Sequence, residues 1–280
     1  MNSGSPSVPA QARPVRAVWQ LGLGLLLTPS AAAFAARSFP HWRLDAHLAD
    51  ATAFAGAALL PILGLTLCAM VEVRLTFALA AAAASATTLL AVVLFQPAPV
   101  ATVLVVDSAL VCLSWALGCS LGRRVQHAAH LLPACVVAAS ADLVSLLSPE
   151  GPSHEIAGSE QALSVLAVWF PVPGAAALAP ALGVGDLLFM ALALGVARKH
   201  SLPYRRCVLA CVIGTAVAGA AAGWSGRAIP ALIPIAAMLV LMLPGIRQLR
   251  RQDRAAARWS MLIAGAVALA TIARALSSGR

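Results

Sequence analysis

The chain has 280 residues, of which 61% are hydrophobic and only 10% are charged. Soluble domains carry about 25% charged residues, so this composition excludes an ordinary soluble domain. The net charge of +9 does not indicate a nucleic-acid partner, because the basic residues lie in short loops between apolar runs. Loop arginines and lysines of that kind orient a membrane protein and contact anionic lipid headgroups.

Apolar runs recur along nearly the whole chain. A helix that crosses a bilayer needs roughly 20 apolar residues, and richness in Ala and Leu favours helices over alternating barrel strands. The sequence therefore predicts an all-α, polytopic transmembrane helix bundle of about nine spans. The predicted spans are 17–36, 52–72, 75–95, 100–122, 127–148, 181–198, 206–224, 228–246 and 259–276.

The first residues differ from the rest of the chain. Residues 1–16 are rich in Ser and Pro and contain Arg13 and Arg16, which predicts a disordered cytoplasmic tail. The span at 17–36 has a basic start, an apolar run and small residues near its end, so it also fits a secretory signal peptide. A retained anchor is the preferred interpretation, and cleavage would leave the other spans unchanged.

The distribution of basic residues predicts the orientation. With a cytoplasmic N-terminus, 14 of the 19 Lys and Arg residues fall in inner segments and 5 in outer segments. The loop at 149–180 then lies outside. Its apolar part, 163–180, is interrupted by Pro171, Pro173 and Pro180. That pattern predicts a re-entrant or interfacial segment, or a flap over a cavity, which could offer an edge strand.

Three aspartates lie within the predicted spans: Asp107, Asp142 and Asp186. A carboxylate in hydrocarbon is costly, so such residues face a protein interior or a water-filled cavity and are candidates for function. The competing interpretation is a polar contact that fixes helix packing. For Asp107 we prefer packing, with tuning of the other two acids as the alternative.

Asp142 and Asp186 are predicted to lie at the same depth. Asp142 is six residues before the outer end of its span, and Asp186 is about five after the outer start of the next. At about 1.5 Å per residue, both lie roughly 8–9 Å below one surface. Two neighbouring carboxyls in an apolar site should share a proton. The ionised one can then take a proton from water while the protonated one polarises a carbonyl.

Three short motifs surround these acids. Asp142 opens the stretch 142–152, which runs Asp-Leu-Val and ends Pro-Glu-Gly-Pro, and Asp186 ends Gly183-Val184-Gly185-Asp186, whose glycines permit close backbone approach. Later comes Pro230-Ala231-Leu232. Proline has no N–H, so Pro230 leaves a carbonyl that could pair with an extended peptide in a cavity. Alternatively, Pro230 simply begins a helix.

Together the motifs resemble the presenilin and signal peptide peptidase family of GxGD intramembrane aspartyl proteases. The resemblance covers about residues 130–246 and is strongest to the presenilin branch, as in a bacterial-type homologue. It implies that Asp142 and Asp186 are the catalytic pair, that Gly183 and Gly185 form the active-site motif, and that Pro230, Ala231 and Leu232 hold substrate. The predicted organisation is then N-terminal transmembrane helices at 17–122, a catalytic membrane domain at 127–246 and, beyond the part that resembles the family, an extra C-terminal transmembrane helix at 259–276.

The chain departs from the family pattern in three respects. Ala141 stands where the family usually has Tyr, and four spans precede the first aspartate helix where the family usually has five; the span at 259–276 restores nine. The external position of 149–180 is similar to signal peptide peptidase and opposite to presenilin. It implies substrates whose transmembrane helices have cytoplasmic N-termini.

The sequence therefore predicts an endopeptidase that hydrolyses peptide bonds of transmembrane helices or signal peptides, in a bacterial inner membrane. Its partners would be those substrates and membrane lipid, with no nucleic acid, metal or cofactor, and its oligomeric state is open. No HExxH, Gly-rich phosphate loop or CxxC spacing occurs, and the six cysteines fit apolar packing. The alternatives are a proton-coupled transporter that uses the acids as a relay, or an inactive homologue that binds membrane helices.

Overall fold

A computed structural model describes residues 19–27, 31, 34–35, 38, 46–95, 99–148, 151, 155–156, 158–172, 178–225, 229–249 and 251–277. Residues 19–27 are helical, in agreement with a helix in the first predicted span. The predicted tail at 1–16 lies outside the described residues, as does most of the rest of that span.

The described chain is almost entirely helical. Its first half comprises α1 (Ala46–Ala69), α2 (Leu75–Phe95), α3 (Pro99–Ser114), a π-helical turn (Trp115–Cys119), α4 (Ser120–Arg124), a 3-10 turn (Ala128–His130) and α5 (Leu131–Leu147). Its second half comprises α6 (Glu160–Leu166), β1 (Ala167–Pro171), β2 (Leu178–Gly183), α7 (Val184–Lys199), α8 (Tyr204–Ser225), α9 (Leu232–Met242), a 3-10 turn (Pro244–Arg247) and α10 (Arg254–Ser277).

Five helical stretches are long and apolar enough to cross a membrane. They are Leu75–Phe95, Val105–Arg124, Ala128–Leu147, Tyr204–Ser225 and Arg254–Ala275. Large apolar side chains on them are exposed, including Phe95, Trp224 and Leu262, as expected for surfaces that face lipid. The helical fold class and the membrane character are therefore confirmed, while the number of nine spans stays a prediction.

Two of the predicted spans are shorter than the sequence suggested. The α-helix described within the span at 228–246 is the 11-residue α9, which begins after Pro230 and ends before the 3-10 turn at Pro244. The span at 181–198 corresponds to α7, which has 16 residues because the chain before it forms β2. Both helices therefore begin a few residues after the predicted starts of their spans.

The helix α7 lies at the centre of the core. Most of its side chains are buried, and α1, α3, α4, α8 and the π-helical turn pack against it. The approach to the π-helical turn is close, because a Cβ atom on Gly118 would lie 2.5 Å from the carbonyl oxygen of Leu188. Cys119 adds a contact from its Sγ to the carbonyl oxygen of Ala191 at 3.3 Å. α7 therefore has little freedom to move.

The loop predicted as a flap contains a β-hairpin. β1 and β2 pair antiparallel, and the hairpin contacts α1 and α3. In the described residues the sheet has only these two strands. The strand β2 ends at Gly183, so the hairpin leads directly into α7 and positions its first turn.

Candidate active site

Asp186 lies in the first turn of α7. Its Oδ2 accepts a hydrogen bond from the backbone N–H of Gly183 at 3.2 Å. A carboxylate at this position satisfies one unpaired N–H of the helix start and interacts favourably with the helix dipole. The half-buried Asp186 side chain is therefore held at the junction between β2 and α7.

Asp142 lies near the end of α5 and is also half-buried. Its Oδ2 accepts a hydrogen bond from the backbone N–H of Leu232, 90 residues later, at 3.1 Å. Leu232 is the first residue of α9, and α9 packs along α5. One carboxyl oxygen thus joins the first aspartate helix to the Pro-Ala-Leu motif.

The two aspartates are brought together. The helices α5 and α7 contact each other, and the carboxyl of Asp142 is near enough to that of Asp186 for its charge to affect it. All three sequence motifs therefore meet in one region, although the predicted catalytic and substrate-binding roles of their residues stay predictions. Chemically, two adjacent carboxyls can act as a general acid and a general base if one carries a proton.

The Pro-Ala-Leu segment is irregular. Ile229 and Pro230 are not helical, and Ala231 precedes α9 without a side-chain cap. Backbone of this kind at membrane depth is tolerated where it is buried in protein or lines a water-filled cavity. The backbone at Pro230 could therefore contact a peptide.

The two glycines of the motif are not packed tightly. A Cβ atom on Gly185 would meet nothing within 4 Å among the described residues, and one on Gly183 would lie 3.5 Å from Asp186 Oδ2, an ordinary contact. The close backbone approach predicted for them is therefore not made by another part of the described chain.

Ala141, at the position of the family's usual Tyr, is exposed. It lines a cavity of about 410 Å³ between α5 and α10, together with Ser140, Val144 and residues of α10 such as Ile263. The extra C-terminal helix therefore packs along the first aspartate helix. The face of α5 beside Asp142 is open where a larger side chain could lie.

Asp107 contacts a different part of the structure from Asp142 and Asp186. Its side chain is 0% exposed, and its Oδ1 accepts a hydrogen bond from the backbone N–H of Trp169 in β1 at 3.1 Å. The sequence gives no signal for this link, because nothing in it connects residues 62 positions apart. The only hint was the pair of prolines, Pro171 and Pro180, that interrupt the apolar segment where the strands form.

His127 and His130 lie at the start of α5, at the opposite end of this helix from Asp142. His130 Nε2 is 3.3 Å from Asp253 Oδ2, and the His127 ring lies 6.1 Å from the His130 ring. Within the described ranges no group of three or more His, Cys, Asp or Glu side chains could hold a metal ion. These residues therefore join the start of α5 to the segment before α10.

Comparisons with models of protein families, with curated proteins and with solved structures found no match to this chain. The resemblance to the presenilin family therefore depends on the three sequence motifs alone.

Proposed function

We propose that this chain is an intramembrane aspartyl endopeptidase whose acid–base pair is Asp142 and Asp186. One observation carries the proposal: Asp142, on a helix that contacts the helix of Asp186, accepts a hydrogen bond from the Leu232 N–H of the Pro-Ala-Leu motif. A pair of acids that served helix packing alone would not need a third, non-helical segment beside it.

The proposed chemistry is hydrolysis by an activated water. The ionised carboxyl takes a proton from water, and the resulting oxygen nucleophile attacks the carbonyl carbon of the scissile peptide bond. The protonated carboxyl gives its proton to the carbonyl oxygen. When the tetrahedral intermediate collapses, the C–N bond breaks and the leaving nitrogen receives a proton from the pair.

The substrate must present an extended backbone, because a helical carbonyl is already hydrogen-bonded and shielded. Two features support binding of an extended peptide. The hairpin has only two strands in the described residues, so a peptide could be added to the β2 edge that leads to Asp186. Pro230 lies in non-helical backbone two residues before Leu232, whose N–H is bonded to Asp142.

The first prediction tests cleavage directly. We expect the purified full chain in detergent to cleave a synthetic transmembrane peptide, with products identified by mass spectrometry. Asp142→Asn and Asp186→Asn should each lower the rate by about 10²–10⁴-fold, because each removes one member of the acid–base pair. The matched control is Glu72→Gln, which removes an exposed carboxyl and should leave cleavage unchanged.

Each outcome distinguishes the proposal from its alternatives. Unchanged cleavage in either aspartate variant would reject the pair. Binding of the peptide without cleavage by the unaltered chain would favour the inactive helix-binding homologue. Proton uptake into liposomes that depends on both aspartates, with no peptide cleaved, would favour the transporter.

A further inference from the structure

Asp107 is the most deeply buried carboxyl of the described spans. It is 0% exposed, and only its Oδ1 has a hydrogen-bond partner; in the part of the chain that the structure describes, Oδ2 has none. A buried carboxyl with an unsatisfied oxygen is costly. An apolar side chain would serve helix packing better than this carboxyl does. The hydrogen bond to Trp169 is therefore the feature that accounts for an acid at this position.

That bond lies at the irregular point of the hairpin. Val168 pairs with Leu182 and Trp169 pairs with Pro180, so residue 181 is an extra residue in β2. Such a bulge bends the strand and changes which face its side chains occupy. The Trp169 N–H donates to Asp107. The carboxyl therefore holds β1 from outside the sheet at the position of the bulge.

Other contacts fix the same strand. The indole N–H of Trp169 donates to the carbonyl oxygen of Leu163 at 3.0 Å, and a Cβ atom on Gly56 of α1 would lie 2.5 Å from the Phe170 ring. β1 is therefore attached to α1, α3 and α6. β2 is positioned by its pairing with this fixed strand, and it ends three residues before Asp186.

We propose that Asp107 is a positioning residue, which holds the bulge of the hairpin and so sets the register in which an extended substrate lies beside Asp186. This inference rests on the proposed function. Asp107 also occupies the outer side of β1 at Trp169, which leaves the outer edge of β2 as the place for an added strand. A hairpin that slipped by one residue would present the opposite set of side chains and a different peptide bond to the acids.

The experiment compares Asp107→Leu, which fills the space without an acceptor, with Asp107→Asn, which keeps an oxygen for the Trp169 N–H. Product masses from the transmembrane peptide give the cleavage position, and hydrogen exchange followed by mass spectrometry reports on residues 167–171. For Asp107→Leu we expect about tenfold faster exchange, products that differ by a residue, and a rate about 10²-fold lower. Asp107→Asn should keep the original products and protection.

Ser114→Ala is the matched control. It removes a second buried polar group from α3, whose Oγ also has no partner among the described residues, without touching the hairpin. It should keep the original products and exchange. Should Asp107→Leu fail to fold, Asp107→Glu moves the same carboxyl by one methylene and should shift the cleavage position while the hairpin stays protected.

Original products from folded Asp107→Leu, or from Asp107→Glu when Asp107→Leu does not fold, would overturn the inference. Loosened exchange without any change of product would also overturn it, because the bond would then be merely structural. If the unaltered chain cleaves nothing, the proposed function fails. Hydrogen exchange tests the attachment of β1 without requiring activity. It therefore distinguishes failure of the proposed function from failure of the inference about Asp107.

Discussion

The Asp142 carboxyl has one task in the structure and a second, separable task in the proposed mechanism. Its Oδ2 accepts the Leu232 N–H and thereby attaches the start of α9 to α5. In the proposed mechanism the same group also takes part in proton transfer. An amide of the same size can accept a hydrogen bond but cannot exchange a proton at neutral pH, so substitutions can separate the two tasks.

We predict that Asp142→Asn and Asp142→Ala differ in stability but not in activity. Both should lower the cleavage rate by about 10²–10⁴-fold. Asp142→Asn should unfold close to the temperature of the unaltered chain, whereas Asp142→Ala leaves the Leu232 N–H without its partner and should cost about 1–3 kcal/mol. Thermal unfolding in detergent measures the difference. Equal stability of the two variants would mean that the bond to Leu232 does not hold α9.

The residues of the candidate site could be predicted from sequence because short motifs carried them. Asp142 and Asp186 stand out as acids in apolar runs, and Pro230 as a break at the start of another. The partner of Asp107 could not be predicted, since a backbone N–H gives no sequence signal. Sequence therefore identifies side chains whose burial is energetically costly, whereas only the fold identifies the atoms that form hydrogen bonds with them.

At the scale of elements, sequence predicted helices well where hydrophobicity alone decides them. The span at 75–95 matches α2 residue for residue, because a single unbroken apolar run forms it. The spans at 181–198 and 228–246 were predicted too long. A hydropathy pattern cannot distinguish an apolar helix from an apolar strand, and the 178–183 segment forms β2.

The position of the second aspartate helix depends on a close backbone contact. A Cβ atom on Gly118 of the π-helical turn would lie 2.5 Å from the carbonyl oxygen of Leu188 and 2.9 Å from the nitrogen of Leu192. Both are backbone atoms of α7 and cannot rotate away. Glycine at 118 therefore allows α7 to pack against the π-helical turn. This packing helps to position Asp186, which lies in the first turn of α7.

We predict that Gly118→Ala destabilises the chain although alanine is the better helix former. The added methyl group must displace the backbone of α7, which should cost about 1–3 kcal/mol and lower cleavage as Asp186 moves. Gly265→Ala in α10 is the matched control, because its Cβ meets nothing within 4 Å among the described residues. That control should stabilise by up to about 1 kcal/mol. Unfolding in detergent measures both, and a stabilising Gly118→Ala would contradict the close contact.

At the scale of the whole molecule, the described loops between helices fall into two groups. Arg123 donates to the carbonyl oxygen of Val71, Lys199 donates to that of Val125, and His130 pairs with Asp253. These contacts gather the basic segments around residues 72, 125, 200 and 253 at one end of the bundle. The hairpin and the start of α7 lie at the end of the helices away from them, as the antiparallel order of the helices requires.

Because basic loops are retained in the cytoplasm, this grouping predicts that the candidate site faces outward. Glu155, in the acidic segment before the hairpin, and Arg251, in the basic segment before α10, are both exposed. We expect Glu155→Cys to react with a membrane-impermeant maleimide in intact cells, and Arg251→Cys to react only after permeabilisation. The chain with its six native cysteines, which are all free thiols and mostly buried, is the control. The reverse labelling would place 149–180 in the cytoplasm and would select substrates whose helices have external N-termini, while leaving the Asp142–Asp186 chemistry intact.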